Sequence, residues 1–108
     1  MSVKANRCEH TLVGDRLEFK IVGDIDLYNA KSYCEQILAE VDKTSPASLT
    51  VNLTHTDFID TAALAMLLML YKTKVANGNL RLLVSEQSPP ARSLKIGGFG
   101  NILDIQYT

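Results

Sequence analysis

Asp60 and Thr61 stand side by side directly ahead of AALAMLLMLY, Ala62 to Tyr71, the most apolar run in the chain. A carboxylate and a hydroxyl thus occupy the entrance to a predicted helix. The first turn of a helix leaves backbone N–H groups unpaired, and its aligned peptide dipoles favour negative charge. Two readings follow from these residue types. One of the pair can be an ordinary N-cap with no other role. Alternatively, the Thr61 hydroxyl can accept a phosphoryl group whose oxygens those N–H groups would meet. The unmodified surface would let a partner pack closely. A phosphate would bring roughly −1.5 to −2 charges into that contact and oppose it, with Asp60 adding repulsion.

The other reactive side chains form no comparable arrangement. His10 and His55 are far apart, and neither has a carboxylate or cysteine placed around it, so both are expected in turns or on the surface. Cys34 falls on a predicted helix and is expected to be a small buried apolar group rather than a nucleophile. Cys8 and Cys34 make no CxxC and have no metal-like partner spacing; the pair leaves one disulfide open but fits a reducing cytoplasm better. GGFG, Gly97 to Gly100, does not open a long helix after a strand, so it is expected to be a turn rather than a nucleotide cradle. We therefore expect no enzyme, no metal and no cofactor.

Bulk properties narrow the class. The 108 residues suit one domain, 1–108, and 46% apolar with 21% charged residues suits a globular chain. A formal charge of −1, with scattered lysines and arginines, provides no pull toward nucleic acid or acidic membranes. A spanning helix needs about 20 apolar residues, and Lys72 and Lys74 come too soon. MSVKANRCEH has no apolar run, so no secretory signal is expected.

The elements that must position Asp60 and Thr61 can be predicted from periodicity. RCEHTLV and RLEFKIVG alternate as two strands around a Gly14-Asp15 hairpin turn, with Leu17, Phe19 and Ile21 pointing one way. GDIDLYN is expected as a loop, with Asn29 or Asp26 capping a helix over 30–41 that carries Tyr33, Ile37, Leu38 and Val41. Pro46 breaks that helix, and SLTVNL is a strand with Leu49, Val51 and Leu53 alternating. The apolar helix is expected over 62–76, stopped by Asn77-Gly78. NLRLLVS, SPPARSLKIGG and NILDIQY follow as strand, short helix and strand. The order β-β-α-β-α-β-α-β predicts an α/β fold: a small mixed sheet, an initial β-hairpin then alternating α and β, with helices packed against it.

At about 100° per residue, the apolar helix places Leu64, Leu67, Leu68, Tyr71 and Val75 on one side, the expected core stripe. Ala62, Ala65, Met66, Met69 and Thr73 fall on the other, with Leu70 on the flank. That second side is covered by neighbouring elements or is a docking surface. Small residues permit close approach, and methionine adapts to a partner's shape.

From Ser48 to Leu103, SLTVNLTHTDFIDTAALAMLLMLYKTKVANGNLRLLVSEQSPPARSLKIGGFGNIL resembles the central and C-terminal signature of the STAS domain. That is the fold of bacterial anti-sigma factor antagonists. Upstream, GDRLEFKIVGDIDLYNA is similar to the family's Gly-Glu-Leu-Asp loop, with Gly23 and Asp26 in matching places. The resemblance extends from about Gly14 to Ile105. It implies that Thr61 is the phosphoacceptor, Asp60 the acidic residue before it, and Asp26 an acidic loop residue nearby. It implies partner binding at Asp26, Asp60, Thr61, Ala62, Ala65, Met66 and Met69. The implied partners are an anti-sigma factor that is also a Ser/Thr kinase, which brings ATP and Mg²⁺, and a phosphatase that reverses the modification. Thr61 stands in place of the usual serine, Ala62-Ala63 in place of Ser-Gly, and Asn52 where many members carry aspartate near the site. Leu64-Ala65-Met66-Leu67-Leu68 also resembles a second branch, the STAS subunit docked on the ATPase of phospholipid-transporting ABC complexes.

Overall fold

The computed structural model describes residues 6–73 and 79–108. It opens with the expected hairpin, in which β1 (Arg7–Val13) and β2 (Arg16–Ile25) pair antiparallel. Gly14 turns the chain at φ +62°, a conformation that costs glycine little. Leu17, Phe19 and Ile21 all point into the core.

β2 runs further than its sequence suggested. GDIDLYN was expected to begin a loop at Gly23, yet the strand continues to Ile25 through a bulge between Gly23 and Asp24. At that bulge it changes partner. Residues 16–20 of β2 pair in parallel with β3 (Ser48–Asn52), and residues 23–25 pair in parallel with β4 (Thr56–Ile59). Gly23 sits at φ +96° with the Asn6 side chain where a Cβ would be. β4 is the element that periodicity missed. Its four residues are too few to show a clear alternation, and its stability comes from β2 and from Thr56, whose buried hydroxyl donates to the Ile21 carbonyl at 2.8 Å.

α1 (Ala30–Thr44) carries Tyr33 and Ile37 into the core, with Leu38 and Val41 partly covered. It ends at Ser45, left-handed at φ 45°, one residue before the expected Pro46 break. Cys34 is buried, as its apolar reading predicted. α2 spans Thr61–Lys72, and its expected continuation and the Asn77-Gly78 stop lie outside the described residues. β5 (Leu80–Val84) leads to α3 (Pro89–Ile96), whose Ser88 cap accepts the Ala91 N–H at 3.3 Å. A 3₁₀ turn, Phe99–Asn101, returns the chain to β6 (Asp104–Tyr107).

The sheet order is β1-β2-β3-β5-β6, with β4 on the end of β2, and every pairing after the hairpin is parallel. This is the expected mixed α/β architecture. Leu17, Phe19, Val51 and Leu82 are almost wholly buried, whereas Glu18, Lys20, Thr50 and Arg81 on the alternate positions keep solvent contact. The helices therefore cover one face of the sheet.

The two-sided reading of α2 needs correction. Its deep stripe is Ala63, Met66, Leu67 and Leu70. Leu64 and Leu68 are only partly buried, Tyr71 is 44% exposed, and Val75 is outside the described residues. Met66, expected on the outer side, is a core residue at 4% exposure, and Leu70 is fully buried rather than on the flank. A helix apolar on nearly every side shows its period without showing its phase. The contacts with α1 and β4 select the phase.

Candidate functional site

Parallel pairing of β2 with β4 sets Ile25 beside Ile59. The two strands therefore finish together, and the segments leaving them, residues 26–29 and 60–61, lie side by side at the helix entrances. Asp60 is the N-cap of α2. Its Oδ1 accepts the Ala63 N–H at 3.0 Å, and its Oδ2 accepts the Leu27 N–H at 2.9 Å. One carboxylate thus joins the cap to the neighbouring loop. The Asp60 N–H donates to the Ile25 carbonyl at 3.2 Å, which holds the same junction from the backbone side.

The loop of residues 26–29 is braced from within. Asp26 Oδ1 accepts the Tyr28 N–H at 2.9 Å, and Asn29 Oδ1 accepts the Asp26 N–H at 2.9 Å. Asn29 Nδ2 donates to the Asp24 carbonyl at 2.9 Å. Asn29 occupies the N-cap position of α1 but makes no side-chain cap bond. Asp26 stabilises that end instead through its backbone carbonyl, which accepts the Ala30 N–H at 2.9 Å. Behind the loop, burial raises the Tyr33 phenol above its ordinary value, and the charges of Cys8 and Asp26 add to the shift.

Thr61 is the first residue of α2, and it is exposed. It therefore stands at the positive end of the helix, in the turn whose backbone N–H groups have no helical acceptor. Between the entrances of α1 and α2 lies an open, mainly apolar groove of about 400 Å³, lined by Leu27, Ala30, Lys31, Cys34, Ala62, Ala65, Met66 and Met69. Ala65 and Met69 are exposed and Ala62 is half-buried, as expected of an outward surface. Met66 reaches the groove from below, as part of its floor.

Asp26, Asp60, Thr61, Ala62, Ala65, Met66 and Met69 thus converge on one end of the molecule. Asn52 does not join them. It lies on the sheet face away from the helices, where its Nδ2 donates to Glu18 at 3.3 Å and its Oδ1 accepts the Thr54 hydroxyl at 2.6 Å. Sequence reasoning missed Leu27 and Tyr28, which are 73% and 92% exposed beside Asp60, and the half-exposed Phe58. The signal was two large apolar residues inside an otherwise polar loop.

A mixed sheet covered on one face by three helices, with an acidic, hydroxyl-bearing helix entrance at its strand ends, defines the class of fold. The sequence model of the STAS domain matches residues 8–108. The chain belongs to the STAS domain family. An anti-sigma factor antagonist from Mycobacterium paratuberculosis has the same fold, with a TM-score of 0.86 at 17% identity over 96% of this chain and 87% of that one. Unphosphorylated SpoIIAA, an anti-sigma factor antagonist, superposes with a TM-score of 0.67 at 16% identity, covering 96% and 89%. The phosphorylated form of SpoIIAA, a Bacillus cell fate determinant, superposes with a TM-score of 0.64 at 14% identity, covering 94% and 91%. At these identities the likeness establishes the fold. Among the described residues, no helix is long and apolar enough to cross a membrane.

Proposed function

We propose that this chain is a cytoplasmic anti-sigma factor antagonist, a non-enzymatic single domain that binds a Ser/Thr-kinase anti-sigma factor and is switched by phosphorylation of Thr61. The observation that carries this reading is the exposed Thr61 as the first residue of α2, next to the Asp60 cap and the apolar groove. In the unmodified state, Leu27, Ala62, Ala65 and Met69 give a partner a surface with little charge. A phosphate on Thr61 would set a dianion next to the Asp60 carboxylate at the rim of that surface, and a partner would have to desolvate both. Binding would weaken while the core below stays packed. A phosphatase would restore the surface.

The test has two parts. Incubation with a candidate cognate kinase and ATP should add one phosphate by intact mass, mapped to Thr61 and absent from Thr61→Ala. In binding assays, Thr61→Glu should weaken the kinase complex by about tenfold or more, roughly 1.4 kcal/mol, with an unchanged circular dichroism spectrum. Undiminished binding of Thr61→Glu would refute the phosphate switch. Failure to accept phosphate, together with co-purification with an ABC transporter ATPase, would instead place the chain in the transporter branch that Leu64 to Leu68 resembles.

A further inference from the structure

We propose that Asn6 is a positioning residue for the loop of residues 26–29, its side-chain oxygen fixing the β2 bulge from which this loop departs. Its effect on partner binding rests on the function proposed above; its effect on position does not.

β2 lacks a strand partner at one point. Its ladder with β1 ends at the pair Arg7–Val22, just before the bulge between Gly23 and Asp24. Successive N–H groups of an extended strand point to opposite edges. The Gly23 N–H turns to the β4 side, where it donates to the His55 carbonyl at 3.2 Å. The Asp24 N–H turns the other way, past the end of the β1 ladder. There Asn6 Oδ1 accepts it at 3.1 Å. A side chain thus takes the place of a strand.

Gly23 is the counterpart of that contact. It is buried, and a Cβ there would fall on the Asn6 carboxamide oxygen. Glycine at position 23 therefore leaves the space that this carboxamide fills. The hydrogen bond and the missing Cβ locate the same oxygen. From Asp24 the restraint passes into the loop. The Asp24 carbonyl accepts Asn29 Nδ2, and Asn29 Oδ1 accepts the Asp26 N–H, each at 2.9 Å. Two asparagines thus hold the peptide groups on either side of Asp24. Leu27 follows, with its N–H on Asp60 Oδ2 at 2.9 Å. Bulges re-aim the residues beside them, so loss of the Asn6 oxygen would disturb the contact between Leu27 and Asp60.

The test uses the full chain. In heteronuclear NMR spectra of Asn6→Ala, the amide signals of Leu27 and Asp60 should shift, and the Asp24 amide should exchange with solvent about tenfold faster. Asn6→Asp keeps an acceptor oxygen at the same reach and should restore both. A double-mutant cycle in urea checks the match with Gly23. A methyl group at position 23 must displace the Asn6 carboxamide, so Gly23→Ala already removes most of what Asn6→Ala removes. The doubly substituted protein should be less destabilised than additivity requires, by about fivefold in its unfolding constant. Asn6 is exposed, so Asn6→Ala should keep the wild-type circular dichroism spectrum. It should nevertheless bind the kinase about fivefold more weakly, because binding must then order the loop. Asn6→Asp should bind as the wild type does, a rescue that tracks the oxygen rather than the fold. Unmoved Leu27 and Asp60 signals in Asn6→Ala, an additive cycle, or failure of Asn6→Asp to restore them overturns the proposal. Full-strength binding by Asn6→Ala overturns its part in partner binding. A wild type that takes no phosphate and binds no kinase refutes the function proposed above, while the spectra and the cycle still decide what Asn6 positions.

Discussion

Asp60 engages both carboxylate oxygens with backbone donors from two different segments, Ala63 and Leu27. Its removal should therefore cost more than an ordinary cap. Asp60→Ala is expected to lower stability by about 1–2 kcal/mol, the upper part of the N-cap range. Asp60→Asn should recover much of the loss, because an amide oxygen can still accept from Ala63 while its NH₂ group faces the Leu27 N–H, donor against donor. Urea denaturation of the three proteins checks this order. Cys8 gives a second prediction. Burial pushes its thiol up from 9.0 to about 11, with Glu9 adding to the shift. The folded state thus retains a proton that the unfolded chain releases, so stability is fully present below pH 9 and is lost progressively between pH 9 and 11. Cys8→Ala should flatten the pH dependence of the melting temperature in that window.

At the scale of the element, α2 distinguishes its two methionines. Met66 is a core residue, whereas Met69 is 53% exposed at the groove. Met66→Lys would bury an unpaired charge and should destabilise the domain by several kcal/mol. Met69→Lys should leave the melting temperature within a degree or two of wild type and still impair partner binding. Parallel thermal melts and binding assays separate the two effects. If both variants fold and bind normally, the groove is not a docking surface.

Across the molecule, the site depends on one strand that serves two partners. β2 pairs first with β3 and then, past the bulge at Gly23, with β4. The change of partner brings the β4–α2 junction beside the β2–α1 loop. Gly23 takes positive φ with the Asn6 side chain against it, so Gly23→Ala should cost about 1–3 kcal/mol and disturb the junction. In heteronuclear NMR spectra the largest shifts outside the mutated position should fall at Leu27 and Asp60. Changes confined to residue 23 and its chain neighbours would show that the bulge does not position the site.

The hairpin, β3, β5 and β6 were legible because alternation and turn residues are local signals. So was the Asp60-Thr61 pair at a helix entrance, since capping depends on the residue types within one turn, whereas only the structure chose Asp60 over Thr61 as the cap. The phase of α2 was not legible: Ala62 to Leu70 is apolar throughout, so only its neighbours could decide that Met66 turns inward and Tyr71 outward. β4 was too short to announce itself. Residue types and their spacing therefore determined which chemistry is present, because capping and alternation act over a few residues. The parallel pairing of β2 with β4 alone decided that residues 26–29 meet residues 60–61, because strand pairing joins segments more than thirty residues apart through backbone groups that every residue carries.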